Sequence, residues 1–452
     1  MYKGKSFISL LLCFILLISF AGCNKGVESA SPEQTEMLQN SPSDLLQTEG
    51  PTAPPTPAPE PSTQEPQITE MPSASPAEES PLQTESPSEP SATPPEKTPE
   101  PAAGKEQVVE QILSNMTLEE KVGQLFFFAF RRDSRGKVTT WSNELADTVQ
   151  RYHLGGIVLF GENIDTEEQT KQLIADMRSS GDIPLLIGVD EEGGRVSRLN
   201  ASGKLDVEKI PSAMEIGNTK DPNVAYEAGK TIGMELKELG IDIDFAPVAD
   251  VATNPENSVI GDRSFSSDPA LAAEMVAAFI RGLHESGINA TAKHFPGHGD
   301  TMEDSHAGAA ISEKTLEEMM KVEWVPFQRA IESGVEFVMA GHISTPNATS
   351  DGLPASLSYE MLTEQLRNRL GFEGIIITDS LGMGAVIGYD EDGCAALMAL
   401  KAGSDMVMMP ANLDEAFRGV CEGVKAGELS MEELDAKVRR VLSLKYDRGY
   451  LS

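Results

Sequence analysis

The chain has 452 residues and a formal net charge of −35, with 36 Lys and Arg against 71 Asp and Glu; 40% is hydrophobic and 24% charged. This balance excludes a multi-span membrane protein and a wholly disordered chain. It also argues against a nucleic-acid partner, because phosphate recognition needs a basic surface.

Residues 1–22 read as a secretory signal. Lys3 and Lys5 precede an apolar run from Phe7 to Phe20, closed by Ala21-Gly22-Cys23. The run is short for a membrane span, which takes roughly 20 apolar residues. Small residues directly before Cys23 resemble a bacterial lipobox. In such a motif Cys23 is lipidated and becomes the mature N-terminus, so a secreted, extracytoplasmic, lipid-anchored protein is expected. With Cys23 acylated, Cys394 and Cys421 remain, and two buried thiols are expected rather than a bridge.

Residues 23–104 form the next segment. Between Asn24 and Gly104 lie 18 of the 29 prolines, and the stretch has no Phe, Tyr or Trp. It cannot bury enough apolar surface to offset its ordering entropy. A disordered, semi-rigid tether is expected, reaching on the order of 250 Å if fully extended at about 3.1 Å per residue. The remainder, 105–452, still carries −25.

From Gln107 onward short apolar runs alternate with amphipathic stretches. The runs are Gly123–Phe130, Gly155–Phe160, Leu185–Asp190, Asp242–Asp250, Asn289–Pro296, Phe337–His342, Gly374–Asp379 and Ser404–Pro410. Continuous apolar runs of this length fit parallel strands buried on both faces. Helices are expected at Thr166–Ser179, opened by a capping box with Gln169, and at Pro222–Gly240, Pro269–Gly287, Leu316–Gly334, Tyr359–Gly371 and Ser430–Tyr446. Eight strands alternating with helices predict an α/β fold, a TIM (β/α)8-type barrel over 105–452, with a doubly wound open sheet as the alternative.

A barrel aims the C-terminal ends of its strands at one rim, where reactive side chains collect. Five of the eight runs end in or carry ionisable groups there: Asp190, Asp250, Lys293 with His294, His342 and Asp379. Buried charges are costly unless paired, so packing alone is a poor account of this pattern. An ion pair between Asp190 and Arg263 beneath the rim is the structural alternative for those two. The densest segment is Lys293-His294-Phe295-Pro296-Gly297-His298-Gly299-Asp300-Thr301, followed by Asp304-Ser305-His306. Three of the six histidines fall within 13 residues there. Metal ligation is disfavoured, because Pro and Gly break the spacing and Lys293 would repel a cation. Acid–base and sugar-hydroxyl chemistry fits better, and no metal or organic cofactor is expected.

This segment resembles the signature of glycoside hydrolase family 3 β-N-acetylhexosaminidases. Further motifs follow that family's order: Gly188-Val189-Asp190-Glu191-Glu192-Gly193-Gly194-Arg195-Val196, Phe245-Ala246-Pro247-Val248-Ala249-Asp250, Gly261-Asp262-Arg263-Ser264-Phe265 and Ile377-Thr378-Asp379-Ser380-Leu381-Gly382-Met383. The resemblance covers essentially all of 107–452. It implies a catalytic barrel in which Asp379 is the nucleophile, His306 the acid/base and Asp304 its partner. Asp190, Arg263, Lys293 and His294 match sugar-binding positions. His298 is expected to support its loop, and Asp250 to brace Lys293 or Arg263. Many members carry a second domain after the barrel; none is expected here. The implied activity is a retaining exo-β-N-acetylglucosaminidase acting on peptidoglycan fragments or chitooligosaccharides. A β-N-acetylglucosaminide phosphorylase and a non-catalytic sugar-binding lipoprotein are the alternatives. The expected partners are an amino-sugar glycan and, through the anchor, a membrane; a monomer is expected.

Overall fold

The computed structural model describes residues 104–301, 308, 310–389 and 394–452. The signal, Cys23, the 23–104 tether, Asp304 and His306 lie outside the described residues.

Each of the eight apolar runs contains a strand. These are β1 (Phe126–Phe128), β2 (Gly156–Leu159), β3 (Leu186–Val189), β4 (Ile243–Asp244), β5 (Thr291–Phe295), β6 (Phe337–Ala340), β7 (Ile375–Ser380) and β8 (Met406–Met408). They pair in parallel, in the order β4-β3-β2-β1-β8-β7-β6-β5. Parallel bridges from Ile243 to Asn289 and from Val248 to Lys293 join the two ends. The open-sheet alternative is thereby excluded, and the fold is a near-closed (β/α)8 barrel.

β4 is much shorter than the run that predicts it. Pro247 has no N–H to donate, so the ladder breaks. The chain stays extended, held by Phe245 N–H on Val189 O at 2.7 Å and Ala249 N–H on Lys293 O at 2.6 Å. The barrel interior is filled by rings. Phe127 and Phe245 meet edge-on at 5.9 Å. Gly156 and Gly188 make room for them: a Cβ there would sit 2.3 Å from the Phe127 ring and 2.6 Å from the Phe245 ring.

Helices Pro222–Leu239 and Pro269–Glu285 each start with Pro in the first turn and an Asp cap, and pack together outside the sheet. Three local expectations need correction. Gln169 does not complete a capping box; its carboxamide oxygen accepts from Asp165 N–H at 2.9 Å instead of from Thr166. The Leu316–Gly334 stretch is two helices, Leu316–Lys321 and Trp324–Glu332, with Pro326 tolerated in the first turn of the second. Cys394 and Cys421 are free thiols, but only Cys421 is buried.

The N-terminal ends of the strands form a separate charged layer. Asp405, fully buried before β8, accepts from Arg367 at 2.6 Å, Arg440 at 2.9 Å and Ile376 N–H at 2.9 Å. Asp242, before β4, does the same for Arg178 at 2.7 Å and Ile187 N–H at 2.8 Å. Each carboxylate thus satisfies a strand amide at the barrel floor while neutralising arginine.

Lys445 differs from these. It is fully buried and donates to the neutral Gln124 Oε1 at 2.7 Å. Burial pushes its pKa down to about 7, only partly opposed by the Asp242 charge. From about pH 7 up to the ordinary lysine value near 10.4, the unfolded chain binds a proton that the folded chain does not. Stability therefore rises with pH across that window, and the full penalty applies below it. Lys445→Met removes this term. Urea unfolding should show the stability difference moving in favour of the wild type from about pH 7 to 10 and flat below. A pH-independent difference would mean that folded Lys445 stays charged.

Candidate active site

The rim at the C-terminal ends of the strands is organised around one buried ammonium. Lys293, on β5, is 1% exposed. Its Nζ donates to Asp190 Oδ1 at 2.7 Å and lies 2.7 Å from Glu192 Oε1. Arg263 grips the same Glu192 with two parallel bonds of 2.8 Å. Burial alone would discharge these groups, but each holds the others ionised. Burial raises the Glu192 pKa, yet Arg263 and Lys293 hold it well below the usual carboxylate range. Burial lowers Lys293, yet Asp190 and Glu192 bring it above the ordinary lysine value. Arg263 is likewise raised by Glu192 against burial.

Asp190 and Arg263 therefore do not pair with each other; each has its own partner. Asp190 is the more open end, with about a fifth of its side chain exposed. Arg198 approaches its Oδ2 at 3.7 Å and lies over the Phe160 ring, 5.5 Å from the centroid.

The second cluster follows β5. Asp250 is buried and accepts from His294 Nδ1 at 2.8 Å, from the His294 amide at 3.2 Å and from the His298 amide at 2.6 Å. Burial raises the Asp250 pKa, but His294 holds it below the ordinary value. Asp250 thus braces the two histidines, not Lys293 or Arg263 as the sequence suggests. The Thr301 hydroxyl lies 2.7 Å from His298 Nδ1, consistent with a supporting role for that ring. Trp324 stacks on Phe295 at 5.7 Å and donates from Nε1 to Pro296 O at 3.1 Å, fixing the exit of β5.

Asp379 lies near the end of β7, half-buried, with the Ser380 amide donating to its Oδ1 at 2.7 Å. The next carbonyl, Ser380 O, accepts from His342 Nε2 at 2.8 Å, and the Ser356 hydroxyl lies 2.7 Å from His342 Nδ1. Asp379 shares the rim with the β5 cluster: its charge works against the burial that lowers the His298 pKa.

The described residues flanking 302–307 form two legs that are tied together. Lys314 Nζ bridges Asp300, at 3.3 Å, and the buried Glu323. Ser312 donates to Asp300 at 3.3 Å, and strand residues Ala310–Ile311 pair with Ile343–Ser344. Asp304 and His306 belong to the span between these legs, outside the described residues.

The structure thus brings Asp190, Lys293, Arg263, His294 and Asp379 to one rim. Sequence reasoning missed two residues that belong with them, Glu192 and Arg198. The signal for Glu192 was its spacing: alternation along an extended chain sends residues 190 and 192 to the same side. Arg198 lies beyond a Gly-Gly turn, where no periodicity reaches.

Such a rim of paired acids and bases lies at the end of a near-closed (β/α)8 scaffold where barrel enzymes carry their chemistry. A family model described as the glycosyl hydrolase family 3 N terminal domain matches residues 117–444. The chain belongs to that family of glycoside hydrolases. It is 30% identical over 368 residues to a β-hexosaminidase A of Pseudoalteromonas piscicida, covering 73% of this chain and 61% of the relative. A family 3 β-N-acetylglucosaminidase structure from a Paenibacillus species superposes with a TM-score of 0.70 at 36% identity, over 74% of this chain and 63% of that one. A β-glucoside phosphorylase structure gives 0.67 at 27% identity, over 76% and 60%. The chain thus spans about six-tenths of each relative's length.

Glu192→Gln tests the central network. Removing the shared anion leaves two buried cations short of a partner and should cost about 3–5 kcal/mol, read as a lower urea midpoint. The same change in a Lys293→Met background should cost clearly less. The Glu192 contribution is complete above the ordinary glutamate value near 4.3 and fades as pH falls through the lower folded-state value. Equal costs in both backgrounds would refute the coupling.

Proposed function

We propose that the protein is a retaining exo-β-N-acetylglucosaminidase that removes terminal β-linked N-acetylglucosamine from peptidoglycan fragments or chitooligosaccharides. The observation that carries this reading is the shared rim: a half-buried carboxylate, Asp379, opens beside a fixed set of sugar-hydroxyl donors and acceptors. Its support in the comparisons is the activity for which the relatives are named.

In this reading Asp190 accepts from a pair of sugar hydroxyls, and Lys293, Arg263 and His294 furnish donors. The Asp379 carboxylate attacks the anomeric carbon, the bond to the aglycone oxygen breaks, and a covalent glycosyl-enzyme ester forms. His306 gives its proton to the departing oxygen, then takes one from the water that releases the sugar. An imidazole with an ordinary pKa near 6.5 serves both steps near neutrality. Asp304, accepting from the other ring nitrogen, orients the ring and favours its protonated form.

Phosphorolysis is the second reading, favoured by the structural likeness to a β-glucoside phosphorylase. A histidine acid/base does not add the negative charge that would repel incoming phosphate. The proposed setting is extracytoplasmic, on a membrane through lipidated Cys23 and a 23–104 tether.

Asp379→Asn should abolish turnover of a chromogenic β-N-acetylglucosaminide. His306→Ala should stop turnover of a natural disaccharide while sparing a substrate with a good leaving group; equal loss on both would rule out its role as proton donor. Product analysis with added phosphate should give free sugar, whereas sugar 1-phosphate would establish the transferase. Cys23→Ser should release the protein from the membrane fraction, and unchanged fractionation would remove the anchor.

A further inference from the structure

Three acids stand in a row after β3, and only the outer two, Asp190 and Glu192, meet Lys293. The middle one, Glu191, is 3% exposed. Its Oε2 accepts from the amides of Arg198 at 2.7 Å and Leu199 at 3.0 Å. It therefore pins the turn that brings Arg198 back to Asp190. The Glu191 amide itself donates to Asp244 Oδ1 at 3.0 Å.

Asp244, the last residue of β4, is fully buried. Its second oxygen, Oδ2, is enclosed without a hydrogen-bond partner among the described residues. An ionised carboxylate in that setting would carry a large desolvation cost for a single amide bond. The groups around it relieve this only in part. Lys293 on β5, shared by Asp190 and Glu192, favours a negative charge there, but Glu191 and Asp190, at the exit of β3, repel one.

We propose that Asp244 is a positioning residue: as an uncharged acceptor it fixes the Glu191 amide, and through it the turn that presents Asp190, Glu192 and Arg198 to the sugar. Burial first, and then the neighbouring carboxylates, push its pKa well above the ordinary aspartate value. The consequence for catalysis rests on the proposed glycosidase activity, but the consequence for the turn does not.

The test compares the full chain with Asp244→Asn and Asp244→Ala. Asn keeps an acceptor without charge; Ala removes it. On a chromogenic β-N-acetylglucosaminide from about pH 5 to 8, Asn should keep KM within about twofold of wild type. Ala should raise KM about tenfold while kcat changes less than about threefold, as for lost ground-state positioning. An Asn variant as impaired as Ala, or an Ala variant equal to wild type, overturns the proposal. Should Ala not fold, Asn decides: a KM ratio to wild type that is flat across pH supports it, and one that grows with pH overturns it. Hydrogen exchange over residues 190–199 reads the turn without substrate. Exchange should quicken in the Ala variant and stay at the wild-type rate in Asn; quickening in both, or in neither, overturns the proposal. If the wild type is inactive, the glycosidase reading fails while exchange still judges Asp244.

Discussion

The constraint on which the rim depends is the burial of the Lys293 ammonium. An ammonium 1% exposed persists only with anions against it. Asp190 and Glu192 supply them from the exit of β3, reaching past β4 to β5. That is where the barrel has its thinnest stitching, because β4 has two residues and the closure rests on isolated bridges. The ion network therefore does two things at once. It ties the seam of the barrel, and it sets the orientation of Asp190 at the open edge. Arg263 extends the tie to the segment beyond β4 through Glu192.

The two ends of the barrel use the same chemistry to different effect. At the floor, Asp242 and Asp405 are buried, each saturated by arginines and a strand amide. At the rim, Asp190 and Asp379 are only partly enclosed. Carboxylates saturated by protein partners hold strands in place; those with an open side can meet a ligand. Among these four aspartates, exposure rather than residue type separates the two ends of the barrel.

Much of this was legible in the sequence because it depends on local order. Strand positions follow from apolar runs, and Asp190, Lys293 and Asp379 from their places at strand ends. The assignment of partners was not legible. Asp250 could equally have met Lys293 or Arg263, and only the path of the chain past Pro247 brings it to His294 and His298. Arg198 returns to Asp190 through a turn held by a buried Glu191, a contact that no spacing rule encodes. The split at Val322-Glu323 escaped notice for a similar reason. Helical periodicity runs across it, while Glu323 is drawn inward to Lys314.

The bridge from Lys314 to Asp300 and Glu323 joins separate positions along the chain. One ammonium fastens Asp300, shortly after β5, and its own position before the helix Leu316–Lys321 to the buried Glu323. Replacing Lys314 would therefore loosen two separate points of the chain at once rather than one.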